Sequence, residues 1–336
     1  KLNKFRLAAV FAVYCCALSC KKDVFTSSPP LANGSNEVAV TAPIFASEHH
    51  TFTDIHICYD DKVFLLERGK LKRLVGEDLV DVPLPASVYK DFDPKFLTIS
   101  KDFTFYLRAN TGIKIIKGGK EIGYYKVGQA PLENFTPLTF GNFEIETDET
   151  DHSLVFGTVR FTIDSTLYSV AKITKEGHYA DITFPSVEEQ FITAFGLGPS
   201  TGELWSGNLE TDNNSFFGGL LKSTVSVTAA IYGNAKLYGR RPSTHIGFPT
   251  EGPIDKVEFG VLAGITVSKD SKVVYFKTGH FGDDEDNGVG TFGDVFKIEN
   301  GIVTLLTKAV ENKRLAISND GKTLYVAGKG LAKIQL

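Results

Sequence analysis

The chain has 336 residues, with 36 Lys and Arg against 40 Asp and Glu and 42% hydrophobic residues. That is enough apolar surface for one large domain or two ordinary ones, and it excludes a disordered chain, a collagen and a multi-span membrane protein. A formal charge of -4 lacks the basic excess that nucleic-acid binding needs.

Residues 1–19 read as a targeting segment. Lys1, Lys4 and Arg6 precede a mostly apolar run from Leu7 to Ser19, too short to cross a bilayer and of signal-peptide length. The run ends at Ala17-Leu18-Ser19-Cys20, followed by Lys21-Lys22-Asp23. This resembles a bacterial lipoprotein signal, in which a cysteine after a small residue is lipidated and becomes the new N-terminus. The leucine stands two places before the cysteine instead of the usual three, and an ordinary secretory signal is the competing reading. The resemblance implies a lipid at Cys20 and a cell-envelope address, anchored to the outer membrane on its periplasmic or exposed side.

Residues 20–36, rich in Ser, Pro, Asn and Gly, have the composition of a flexible tether. Of Cys15, Cys16, Cys20 and Cys58, cleavage and lipidation leave only Cys58, which excludes an internal disulfide or a cysteine-based metal cluster. Cys58 ends the run Ile55-His56-Ile57-Cys58 and reads as a buried strand residue.

From residue 37 onward a pattern recurs: an apolar strand, Ser or Thr with Asp, a turn, and a second strand with an aromatic. Its copies are Ile55–Leu65, Phe96–Leu107, Thr147–Phe156, Leu197–Ser206, Gly264–Phe276 and Leu315–Gly328. The turns align on Asp60, Asp102, Asp151, Ser200, Asp270 and Asp320, a spacing near the size of a propeller blade, with an insertion before the fifth copy. Ile113–Ile116, Gly219–Lys222, Asp294–Ile298 and Leu331–Ile334 read as third strands. Ile122–Val127, Val225–Tyr232 and Gly301–Leu306 read as fourths. The pattern predicts an all-β fold, a six-bladed β-propeller of four-stranded blades over residues 37–336. The last repeat has three strands, so Glu37–Phe45 is expected to supply its outer strand and close the ring. Recurrent Phe156, Trp205, Tyr275 and Tyr325 are expected to pack between blades.

The motif Ser-x-Asp-Gly-Lys-x-Leu-Tyr-Val at 318–326 resembles the NHL/SMP-30-like and TolB-like group of six-bladed propellers. The group holds binding modules and enzymes, including lactonases that use a Glu, an Asn and an Asp around a metal. Glu251-Gly252-Pro253 matches the lactonase opening motif in sequence but lies before the fifth repeat. The expected Asn-Gly is Ala263-Gly264, and no acid follows Tyr275 or Tyr325 as the family pattern requires.

Three long connections over blades four and five, Asn208–Ser215, Asn234–Gly260 and His280–Gly290, form the expected site, because long loops on a rigid scaffold carry function. Arg240, Arg241, His245 and Glu251, with His280 and Asp212, are the candidate ligand-binding residues; paired arginines suit a carboxylate or acidic sugar. A lid folded on its own side chains is the alternative. Asp283, Glu285, Asn287 and Asp294 match a calcium-loop spacing, and a plain solvated acidic loop competes with that reading. His56 is expected to face inward from its strand. The functional expectation is an anchored, monomeric binding propeller for a protein or carbohydrate partner, with no catalysis required; the alternative is a metal-dependent hydrolase of SMP-30/gluconolactonase type.

Overall fold

The computed structural model describes residues 44–45, 49–136, 144–161, 166–182, 191–212, 215–224, 236–238, 251–259, 261–278 and 292–336. They form a six-bladed β-propeller. Blade one is β1 (Phe52–Ile57), β2 (Val63–Glu67), β3 (Lys70–Val75) and β4 (Asp78–Asp81), paired in order and antiparallel. A four-residue helix, α1 (Ala86–Tyr89), leads into blade two: β5 (Phe96–Ile99), β6 (Phe105–Ala109), β7 (Gly112–Lys117) and β8 (Lys120–Lys126). Blade three is β9 (Ile145–Asp148), β10 (Ser153–Phe161), β11 (Thr166–Ile173) and β12 (Tyr179–Ile182). Blade four is β13 (Phe191–Leu197), β14 (Glu203–Asp212), β15 (Ser215–Thr224) and β16 (Lys236–Tyr238).

The short strand β17 (Gly252–Pro253) precedes blade five, which comprises β18 (Leu262–Val267), β19 (Val273–Thr278), β20 (Phe292–Glu299) and the first half of β21 (Ile302–Ile317). The second half of β21 is the inner strand of blade six, followed by β22 (Thr323–Gly328) and β23 (Gly330–Gln335). The ring closes as the sequence predicts. The Ile44 N–H donates to the Leu331 carbonyl at 2.8 Å, and the Leu331 N–H donates to the Phe45 carbonyl at 3.1 Å. Residues 37–43 of the expected closing strand lie outside the described residues. So does the expected fourth strand Val225–Tyr232; the strand that pairs with β15 is β16.

Most of one expected loop is strand. Residues 208–212 continue β14, and Asp212 pairs with Ser215 of β15. Residues 213 and 214 lie outside the described residues. Leu209 and Thr211 are of types that favour strand.

The core is six separate interfaces, one between each pair of neighbouring blades. Phe156 packs between blades two and three with Phe96 and Ile113, and Trp205 packs between four and five with Leu262 and Ile265. Tyr275 sits between five and six with Leu315, and Tyr325 backs the joint of six and one with Phe52 and Ile55. Each interface is a sheet-on-sheet contact fed by alternate strand residues.

Candidate functional site

Six turns link the first and second strands of the blades, and each closes with one backbone bond. Asp61, Phe103, Asp151, Thr201, Ser271 and Gly321 donate to the carbonyls of Cys58, Ser100, Asp148, Gly198, Ser268 and Ser318. This bond gives a common register. In blade three it moves the turn one residue earlier than the Asp151 alignment implied. Asp148 stands where blades two, five and six place serine, and it accepts bonds from the Thr150 N–H and hydroxyl. As a buried carboxylate it draws Lys172 from β11, whose ammonium also meets Asp151.

In that register the inner strands stack side chains in layers along the channel. One layer contains Asp54, Glu144 and Arg314, with Phe96, Ala194 and Gly264 at the other three positions. In blades one, four, five and six a β-bulge falls immediately before it, at Phe52/Asp54, Ile192/Ala194, Leu262/Gly264 and Asn312/Arg314. Bulges re-aim the side chain that follows them, which is how this layer is turned toward the channel. Arg314 bonds the Glu144 carboxylate, approaches Asp54 at 3.9 Å and lies over the Phe96 ring. Glu144 also accepts the Phe195 N–H, and Asp54 accepts the Leu97 N–H at 2.8 Å. Buried Arg108 binds the Glu144 carbonyl from behind. The result is a charged plug shared by blades one, three and six.

One blade position lies between this plug and the next layer, which contains His56, Thr98, Glu146, Gly196, Thr266 and Ala316. Desolvation, reinforced by the Glu144 and Asp54 carboxylates, pushes the Glu146 pKa up to about 8. Desolvation pulls His56 down to about 4. In Asp54 desolvation outweighs Arg314 and leaves its pKa at about 7. At neutral pH both titratable groups of the layer are therefore uncharged: a carboxylic acid that can donate and an imidazole.

Above them is a collar of Ile57, Ile99, Thr147, Leu197, Val267 and Ile317. The rim is the second turn residue of each blade: Tyr59, Lys101, Glu149, Pro199, Lys269 and Asn319. Neighbouring turns hold one another. The Lys101 N–H donates to Glu149, the Ser200 N–H to the Ser271 hydroxyl, and the Asn319 N–H to Asp61. The collar, the rim apart from Lys101 and the Glu146 layer apart from Thr98 line a cavity of about 100 Å³ that receives residues from all six blades. The Glu146 carboxyl lines both this cavity and the smaller one at the plug. Among the described residues nothing hydrogen-bonds or ion-pairs with it.

The cavity opens at the end of the first-to-second-strand turns, not at the long connections over blades four and five. Of the predicted ligand-binding residues, Arg240, Arg241, His245 and His280 lie outside the described residues, as do Asp283, Glu285 and Asn287 of the acidic loop. Glu251 lies beside β17, which adds to the outer edge of blade five, and its carboxylate accepts the Leu305 N–H at 3.0 Å. The Glu-Gly-Pro motif is thus on a blade's outer edge, not on an inner strand. Asp212 ends β14, and the backbone of Asp294 sits within β20, bonded to the Thr278 hydroxyl. His56 faces the channel as expected. The residues missed in sequence are Asp54, Glu144, Glu146 and Arg314, whose signal is a charge on an otherwise apolar inner strand.

A divalent cation of the lactonase kind does not fit the plug. Its two carboxylates already share a guanidinium, which occupies the place of the cation, and no three metal-ligating side chains converge among the described residues.

No protein-family model and no curated protein matches the chain. Solved structures do. A gluconolactonase from Xanthomonas campestris is similar at a TM-score of 0.57 and 10% identity, over 93% of this chain and 99% of that one. A chain of hydrazine synthase from Kuenenia stuttgartiensis is similar at 0.52 and 11% identity, over 91% and 99%. At such identities the likeness concerns architecture alone, and it agrees with the strand pairing: this chain is a six-bladed β-propeller.

Proposed function

We propose that the chain is a binding propeller of the cell envelope that takes a hydroxyl-bearing group of a carbohydrate into the hairpin end of its channel. The observation that carries this reading is the Glu146 carboxyl, walled by protein, facing the cavity and given no partner there. The side chain is half-buried and opens onto the cavity, so its hydrogen-bonding capacity is left for whatever enters, and a ligand hydroxyl matches it. With Glu146 protonated and His56 neutral, the floor presents uncharged donors and acceptors, which suit a sugar hydroxyl better than an ion. The cavity is smaller than a typical ligand pocket, so it takes one group of a longer ligand. No catalytic step is required, and the plug's carboxylates are spent on Arg314. The likeness to a gluconolactonase is compatible with sugar chemistry but supplies no metal ligands here.

The test is calorimetric titration of the whole chain with neutral oligosaccharides. Glu146→Leu is expected to weaken any binding at least tenfold while leaving the melting temperature unchanged or higher. Equal binding by both proteins, or none by the natural chain, removes this reading.

The proposal includes an anchor. A lipid on Cys20, followed by the tether at 20–36, would hold the monomeric propeller at the outer membrane. Expressed in a bacterium, the natural chain is expected in the membrane fraction and Cys20→Ser in the soluble fraction. Equal partition would overturn the anchor and leave the channel reading standing.

A further inference from the structure

Three of the six rim residues converge although their blades are not all neighbours. The Tyr59 ring of blade one lies 5.7 Å from the Lys101 ammonium of blade two and 5.2 Å from the Lys269 ammonium of blade five. Blades one and five are separated by blade six, so the contact with Lys269 spans the turn of blade six at the mouth of the cavity. Neither ammonium meets a carboxylate among the described residues. An aromatic face holds a cation weakly and leaves most of its hydrogen-bonding capacity unspent. The lysines could instead have turned to Glu149 on the same rim. One Glu149 oxygen is taken by the Lys101 N–H and the Thr147 hydroxyl, and the other is buried with no partner.

From this arrangement we infer that the rim is an anion clasp, and that the ligand is an acidic sugar whose charged group lies between Lys101 and Lys269 while its ring stacks on Tyr59. This rests on the channel reading above and narrows its substrate class. The sugar's hydroxyls have the Glu146 acid at the floor of the same cavity. Glu149, a carboxylate on the rim, opposes an anion placed directly over it, which directs the charge toward the lysines. Two positive charges for one anion and a hydroxyl donor beside it describe a uronic acid or a sulfated sugar equally well, and the anion is what they share.

The experiment titrates the whole chain, natural and Lys101→Gln/Lys269→Gln, with trigalacturonate, its fully methyl-esterified form and glucose 6-sulfate. The natural chain is expected to bind an anionic probe at least tenfold more tightly than the ester, with affinity falling as salt rises. The double variant is expected to lose that preference while retaining the ester's affinity. Tighter binding of trigalacturonate assigns a carboxylate, and tighter binding of the sulfate ester assigns a sulfated sugar; both support the clasp. If the natural chain binds the methyl ester as tightly as either anion, the clasp is overturned and the channel reading survives. If neither anion nor ester binds, both fall. A preference that persists in the double variant would also overturn the role given to these two lysines.

Discussion

Replacing Arg314 with methionine is expected to destabilise the propeller by about 3–5 kcal/mol, the range for removing one partner of a buried charge cluster. Arg314 stands between Glu144 and Asp54, and both carboxylates are held from other sides by backbone N–H groups that keep them in place. Without the guanidinium those carboxylates remain in a desolvated layer with no opposite charge, and both pKa values rise further because Arg314 now lowers them. An acid whose folded pKa is raised is stabilising while protonated and loses that stability as pH climbs through the folded value. The variant should therefore melt closer to the natural protein at pH 5 than at pH 8. Adding Asp54→Asn and Glu144→Gln to Arg314→Met should recover much of the loss, since neutral amides do not need the cation. Denaturant titration at the two pH values measures this. A loss below about 1 kcal/mol, equal at both, would mean that the plug is not an electrostatic unit.

The architecture was readable because its signals are local and repeat. A turn acid that accepts bonds from following N–H groups recurs in several blades, as in Ser318-Asn319-Asp320, where Asp320 accepts the Ser318 hydroxyl and the Lys322 N–H. The inward aromatics recur with it, and the missing last strand was visible as a count. The channel chemistry was not readable by the same means. Asp54, Glu144 and Arg314 come from blades one, three and six, and no local pattern joins them. They share a layer only when the turns are aligned by their backbone bond. Taking Asp151 as the turn acid of blade three sets Ile145 level with Asp54 and Arg314, and the glutamate disappears from the layer. Asp148, buried and compensated by Lys172, is what shifts that turn, and its burial is a tertiary fact. Loop length misled in the same way: it drew attention to Asn208–Ser215, most of which is strand, and away from short turns whose second residues form the rim.

Stability of the natural protein is expected to decline by on the order of 2 kcal/mol between pH 6.5 and 9, and Glu146→Gln should remove most of that decline. Below pH 6.5 two opposite linkages act. His56 is pulled down to about 4 by burial, against an unfolded value near 6.5, so the unfolded chain binds the extra proton below that value. Stability from this source rises as pH increases from about 4 to 6.5 and is level above. Glu146, raised by burial to about 8, behaves in reverse: the folded protein holds its proton from about pH 4.5 to 8, and stability falls as pH rises through that window. Asp54, raised to about 7, adds to the fall and completes it sooner. Between pH 4.5 and 6.5 the rise from His56 offsets one of the two acids, and the other leaves a net decline. Above 6.5 only the acids titrate, so the alkaline limb belongs to Glu146 and, to a smaller extent, Asp54. The full linkage for a shift of that size would be larger; it is discounted because the carboxyl is only half-buried and opens onto the cavity. Glutamine keeps the shape and a donor but has no proton to lose, so its melting temperature should stay nearly level from pH 6.5 to 9. The same window governs the channel, since above pH 8 the floor becomes an anion and a sugar hydroxyl there can only donate. Calorimetric melting of both proteins in half-unit steps decides the matter. An alkaline limb of equal slope in Glu146→Gln would assign the titration elsewhere and take the neutral floor, and with it the fit to a carbohydrate hydroxyl, away from this site.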